Sequence, residues 1–109
     1  MQRVYFDNAA TTSLDAEVLA AMMPYFTTHY GNASSIHSYG RECRMAIEKS
    51  RKTVATLLNA KPGEIFFTSC GSESSNTAIQ CAVRDLGCTH IITSAIEHHA
   101  TLHTVQFLA

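Results

Sequence analysis

The 109-residue chain has no tryptophan, only two prolines and five glycines, and no excess of charge, with eight basic residues against nine acidic ones. Each shortage excludes something. A formal net charge of −1 gives no basic surplus to seek phosphate backbones, so nucleic acid is not an expected partner. No apolar run approaches the roughly 20 residues of a membrane-spanning helix. The first residues, Met1-Gln2-Arg3-Val4-Tyr5-Phe6-Asp7, lack the apolar stretch and cleavage site of a secretion signal, and a cytosolic address is the default expectation. The four cysteines, Cys43, Cys70, Cys81 and Cys88, contain no Cys-x-x-Cys pair and are expected as reduced thiols. Cys43 and Cys81 fall in stretches of helical periodicity and are expected to be small buried hydrophobes. Repeats, low-complexity tracts and long linkers are also missing. What is present, 46% hydrophobic and 16% charged residues, suits at most one globular domain.

Val4 to Phe6 reads as a short extended start and Asp7-Asn8-Ala9-Ala10-Thr11-Thr12 as a polar loop. A helix is expected from Asp15, whose carboxylate can cap the first turn, with Val18, Leu19, Met22, Met23 and Phe26 on one face. Pro24 should kink or shorten it. Gly31 to Ser38 reads as a loop of turn formers. A second helix spans about Tyr39 to Leu58, its basic residues Arg41, Arg44, Lys49, Arg51 and Lys52 expected on a solvated face. Asn59 to Gly63 breaks that helix. Residues 64–68 and 90–94 read as short strands, each followed by a helix, from about Glu73 to Leu86 and from about Glu97 onward. The last helix shows no stop signal before Ala109. This order is that of an α/β layered fold with few strands, the opening of a larger domain.

Two junctions could carry chemistry. At Phe67-Thr68-Ser69-Cys70-Gly71-Ser72-Glu73-Ser74 a strand delivers the chain to a small-residue turn and a helix opens at once. The free amides of a first helical turn suit a phosphate, Gly71 permits close approach, and Ser69, Ser72 and Ser74 could add donors. A capped turn without ligand is the other reading. At Ile92-Thr93-Ser94-Ala95-Ile96-Glu97-His98 the same arrangement would bring His98 beside Gly71 and Ser72, provided the strands are parallel neighbours. An imidazole there could stack on a planar cofactor and move protons, or simply cap its helix. His99 and His103 are four apart and share a helical face, near His90 and Cys88. The set lacks the Glu of a His-Glu-x-x-His motif and a second ligand pair, so no metal is expected.

Four blocks, Val-Tyr-Phe-Asp-Asn-Ala-Ala-Thr-Thr at 4–12, Gly-Asn-Ala-Ser-Ser-Ile-His at 31–37, Phe-Thr-Ser-Cys-Gly-Ser-Glu-Ser at 67–74 and Ile-Thr-Ser-Ala-Ile-Glu-His at 92–98, occur in family-like order and spacing. Together they resemble the N-terminal part of the NifS/IscS-type cysteine desulfurases, which use pyridoxal 5'-phosphate and have the class V aminotransferase fold. The resemblance covers essentially all 109 residues. It implies the start of the large cofactor-binding domain of a fold-type-I (aspartate aminotransferase-like) enzyme: an active-site segment at 1–14, then helices and first strands over 15–109. It implies that Gly71 and Ser72 hold the cofactor phosphate, with Ser72 where the family usually has Thr. It implies that His98 stacks on the pyridine ring and handles protons, and that Asn8 and Asn32 lie on the substrate side. His37 matches a motif near the active site and dimer interface, and Ala33 stands where the family usually has Pro.

The implied reaction converts L-cysteine to L-alanine, with sulfur passed to an enzyme cysteine as a persulfide. The implied partners are a second copy of the chain, as a homodimer, and a sulfur acceptor such as an iron–sulfur scaffold. The family also has a Schiff-base Lys, a pyridine-pairing Asp and a persulfide Cys; none of the four cysteines here matches that Cys, and Lys49, Lys52 and Lys61 do not match that Lys. These family groups are expected beyond residue 109, and the 109 residues alone are expected to be inactive. A selenocysteine lyase, a class V aminotransferase and a truncated non-catalytic module remain the alternatives.

Overall fold

The computed structural model describes residues 3–109; Met1 and Gln2, part of the implied 1–14 segment, lie outside the described residues. The described residues form four α-helices: α1 (Ala16–Thr27), α2 (Ser38–Leu57), α3 (Gly71–Arg84) and α4 (His99–Leu108). A single 3₁₀ turn, Pro62–Glu64, follows α2. The chain forms two compact units, one ending at Ile65 and the other running from Phe66 to Ala109.

In the first unit, Asp15 caps α1 as expected, accepting from the amides of Glu17 at 2.8 Å and Val18 at 3.3 Å. Pro24 sits inside the helix, which runs only three residues further. The face carrying Val18, Leu19, Met22, Met23 and Phe26 is formed but open, each side chain between 39% and 66% exposed. It therefore contributes little burial among the described residues. Among the described residues three are buried, Gly40, Cys43 and Ala55, and all lie in α2. Cys43 is thus buried as expected, its thiol donating to the His29 carbonyl at 3.1 Å. The end of α2 is set by Asn59 in the left-handed region (φ 52°), and the Ala60 amide returns to the Ala55 carbonyl at 2.8 Å.

The basic face of α2 is not simply solvated. Arg41 Nη1 donates to the Ile36 carbonyl at 2.5 Å and Arg44 Nε to the Ala33 carbonyl at 2.7 Å. Arg51 reaches the Ile65 carbonyl. A guanidinium has several fixed donors on a long stem, so it can leave the helix surface and hold neighbouring backbone. The arginines clamp the flanking loops to α2.

In the second unit, α3 and α4 pack against each other. Ile79, Ala82 and Val83 of α3 are partly buried, as are Leu102, Val105 and Leu108 of α4. Cys81 departs from expectation and is exposed. It stands two residues past Ile79, which at 3.6 residues per turn is the opposite side of the helix. Gly87 takes φ +70° just beyond α3, a conformation that side chains with a Cβ rarely adopt. The strands expected at 64–68 and 90–94 are not formed among the described residues. A strand is defined by its ladder partners, and these two apolar segments do not pair with each other.

Candidate functional site

The sequence Cys70-Gly71-Ser72-Glu73 opens α3 at its N-terminus. Cys70 is the N-cap residue, and its side chain makes no capping hydrogen bond. In this α3 is unlike the other three α-helices, which are capped by Asp15, His37 and His98. The amides of Gly71, Ser72 and Glu73 are bound to no oxygen among the described residues. A Cβ added at Gly71 would meet nothing within 4 Å, so the approach to these amides is open. Such a cluster of unpaired donors at the positive end of a helix is suited to an anion.

The side chains around the turn divide the work more sharply than the sequence suggests. Ser69 is not a free donor, because its amide and hydroxyl both bind Glu73 Oε2 at 2.7 Å. The Ser69 hydroxyl, followed by its amide, holds the Glu73 carboxyl below its ordinary range. Ser74 Oγ is engaged with Thr68 Oγ1 at 2.6 Å and the Cys70 carbonyl at 3.3 Å. Of the three serines proposed as donors, Ser72 is the one with its hydroxyl uncommitted. Cys70 adds a feature that the sequence reading did not single out. The Glu73 amide, then the Ser69 hydroxyl, with the Ser72 amide behind them, hold its thiol below the ordinary cysteine value. A neutral thiol is a weak acceptor and caps poorly, but a thiolate draws on the same amides that a phosphate would use. The signal was in the sequence: Cys occupies the position where Ser, Thr, Asp or Asn would normally cap a helix.

His98 caps α4, its Nδ1 accepting from the Ala100 amide at 3.2 Å. A neutral ring accepting at Nδ1 carries its proton at Nε2. The relative direction of the two helices fixes where this ring lies. Thr104 and Asn76, the sixth residues of α4 and α3, are hydrogen-bonded through their side chains. Val83 near the end of α3 and Val105 and Leu108 near the end of α4 line one open cavity of about 570 Å³. The helices therefore run the same way, and both N-termini sit at one end of the pair, each about 7.5 Å along its axis from the Asn76–Thr104 bond at 1.5 Å per residue. Gly71 and Ser72 at the start of α3 and His98 at the start of α4 thus lie toward the same end of the helix pair. The His98 ring is committed at Nδ1 to capping α4.

Asn8 and Asn32 belong to the first unit. Asn8 lies in an exposed turn closed by the Ala10 amide on the Asp7 carbonyl at 3.1 Å. Asn32 Oδ1 accepts from the Ser34 amide at 2.9 Å, and its carbonyl accepts from Ser35. Both acceptors therefore shape the loop itself. His37 Nδ1 accepts from the Gly40 amide at 3.4 Å and caps α2. Gly40 is required there: a Cβ would come within 2.5 Å of the Ser35 carbonyl oxygen and 2.6 Å of that of Asn32. The loop is packed against the helix backbone.

Residues 4–109 match the family model for aminotransferase class-V. The chain belongs to that family. It is 49% identical over 111 residues to the "Putative cysteine desulfurase IscS 1" of Bacillus subtilis, covering 99% of this chain and 29% of that protein. It is 52% identical over 108 residues to the "Cysteine desulfurase IscS" of Methanosarcina thermophila, covering 96% of this chain and 26% of that protein. A solved structure described as a NifS-like protein matches with a TM-score of 0.89 and 43% identity, over 98% of this chain and 30% of that one. The chain thus spans less than a third of the relatives it matches. Its fold is the opening part of the large domain of a fold-type-I enzyme, as the resemblance implied, and the family uses pyridoxal 5'-phosphate. No helix among the described residues is long and apolar enough to cross a membrane.

Proposed function

We propose that this segment carries the phosphate-gripping end of the active site of a cysteine desulfurase. The observation that carries the reading is the uncapped start of α3, where three amides bind no oxygen among the described residues and the Ser72 hydroxyl is uncommitted, while the other described α-helices are capped by side chains. Gly71 and Ser72 would hold the phosphate of pyridoxal 5'-phosphate, and the open space at Gly71 fits that group. The bound cofactor supplies an electron sink for bond breaking in the substrate. His98, held at Nδ1, would present its ring face to the cofactor and hold or move a proton at Nε2. Asn8 and Asn32 would shape the substrate side.

The overall conversion breaks the C–S bond of L-cysteine and forms an S–S bond on an enzyme thiol, leaving alanine. The amine and thiol for this chemistry belong to the remaining length of the enzyme, a view supported by the mismatch of Lys49, Lys52, Lys61 and all four cysteines with the family's catalytic motifs. Delivery to an iron–sulfur scaffold or another acceptor, a homodimeric state and a cytoplasmic location complete the proposal, and they rest on the resemblance of the four sequence blocks to the cysteine desulfurases. Residues 1–14 are proposed as the active-site segment and 15–109 as the lead into the large domain.

The test uses full-length enzyme carrying this segment. It should retain protein-bound cofactor and release alanine from L-cysteine, with sulfide appearing once a reductant is added. Ser72→Ala removes a hydrogen bond to a charged group, about 1.5–3 kcal/mol, so cofactor retention should weaken about 10- to 100-fold. Wild-type protein that binds no pyridoxal phosphate refutes the reading. Unchanged retention in Ser72→Ala removes Ser72 from the site.

A further inference from the structure

We propose that His99 and His103 form a two-imidazole chelate for a divalent transition cation of the copper, nickel or zinc type, on the exposed surface at the start of α4. Both residues lie in α4, four positions apart, and both are exposed. Their ring centroids are 5.1 Å apart, with the planes inclined by 58°. This separation meets a definite requirement. A metal–nitrogen bond of about 2.0–2.1 Å puts the centroid of each imidazole about 3.2 Å from the ion. For nitrogen–metal–nitrogen angles between about 90° and 109°, the two centroids must then be about 4.5–5.2 Å apart. The His99–His103 pair falls inside that window. The neighbouring pair, His98 and His99, at 6.2 Å, falls outside it.

The lone pairs are also available. Neither ring makes a hydrogen bond or ion pair among the described residues, whereas His98 has committed Nδ1 to the Ala100 amide. No group of three or more His, Cys, Asp or Glu among the described residues is arranged to hold a metal. A chelate needs only two protein ligands, with water filling the other positions. Residue spacing alone argues against a metal for want of further ligands, and the ring geometry supplies what spacing cannot. An all-imidazole donor pair suits copper, nickel and zinc, and offers little to magnesium or calcium, which prefer oxygen. Neither His99 nor His103 is among the residues assigned above to the cofactor grip.

Isothermal titration calorimetry of the full-length, cofactor-loaded enzyme with nickel or zinc chloride tests it. The expected result is one ion bound per chain at this site, weakened at least about tenfold by either His99→Gln or His103→Gln. Removing only the group that hydrogen-bonds a ligating histidine already costs about 10- to 100-fold in metal affinity. His90→Gln should bind as the wild type does. His103→Cys returns a zinc ligand to the same helical position and should restore zinc binding, which separates ligand loss from misfolding. Magnesium should not compete. Binding as tight as wild type in either Gln variant overturns the proposal, as does a wild-type enzyme that takes up neither ion at millimolar concentration.

Discussion

Replacing His98 in two ways separates the cap from the chemistry, because the two roles differ in scale. His98→Ala removes both the Nδ1 acceptor that holds the Ala100 amide at 3.2 Å and the ring itself. Loss of an N-cap costs about 0.5–2 kcal/mol. Against a folding stability of about 5–15 kcal/mol, that leaves nearly every molecule folded. A proton-handling role is larger, typically a hundred- to ten-thousand-fold in rate, or about 2.7–5.5 kcal/mol of barrier at 1.36 kcal/mol per decade. His98→Asn places a side-chain oxygen where the cap needs an acceptor and provides no ring. Full-length His98→Ala should therefore melt lower than wild type and His98→Asn should recover most of that loss, while alanine release from L-cysteine falls at least a hundredfold in both. Thermal unfolding reads the cap, cofactor absorbance reads retention, and alanine release reads turnover. Recovery of turnover in His98→Asn would reduce His98 to a helix cap. A fall in cofactor content equal to the fall in turnover would assign the ring to binding alone.

Two further outcomes follow from the same geometry. In cofactor-free enzyme, alkylation of Cys70 should rise with pH on the acid side of an ordinary thiol, because the Glu73 amide, Ser69 hydroxyl and Ser72 amide favour its thiolate. Cys81 should lag on the alkaline side, because Asp85 accepts its proton and opposes its charge, and added inorganic phosphate should slow Cys70 alone; peptide mapping that finds Cys81 modified first contradicts this. Gly40→Ala puts a Cβ about 1 Å inside the ~3.5 Å optimum of carbon contacts, against backbone of Asn32 and Ser35, and should cost about 1–2 kcal/mol after the gain in helix propensity. Gly63→Ala, with nothing within 4 Å, should be close to neutral, so faster hydrogen exchange over residues 29–40 is expected in the first variant and not the second.

Much of this was legible in the sequence, for physical reasons that differ from element to element. Local signals carried well: Asp15 before an apolar stripe, Asn59 at the end of α2, and Gly71 at a helix start all act within a few residues of themselves. The two strands did not appear, because Phe66, Phe67, Ile91 and Ile92 specify an apolar extended segment but not its ladder partner. A place in a stretch of helical periodicity does not by itself bury Cys81, because its angular position, two residues from both Ile79 and Val83, turns it outward. The spacing of the α2 arginines suggests a solvated face, and their use as clamps depends on where the loop carbonyls of Ala33, Ile36 and Ile65 fall in space. At the candidate site, residue types suggested three serine donors, and the structure leaves one. Hydroxyl groups are too versatile for sequence to say which partner each will choose.

The capping pattern links stability to function. A side chain that caps a helix satisfies its orphan amides and also occupies the place an anion would take. Asp15, His37 and His98 close three helix starts in this way, and none of those starts keeps its full set of donors. Cys70 leaves the start of α3 open, at a cost in helix stability on the scale of a missing cap, about 1 kcal/mol. An anion that binds the folded turn and not the unfolded one returns that stability by mass action, about 2.7 kcal/mol at a hundredfold excess over its dissociation constant. The first turn of α3 should consequently exchange its amide hydrogens readily without the cofactor and become protected with it. The Cys70 thiol obeys the opposite sign. A phosphate seated on the Gly71, Ser72 and Glu73 amides withdraws the donors that favour the thiolate and adds a like charge beside it, so cofactor loading should raise the Cys70 pKa as it orders the helix.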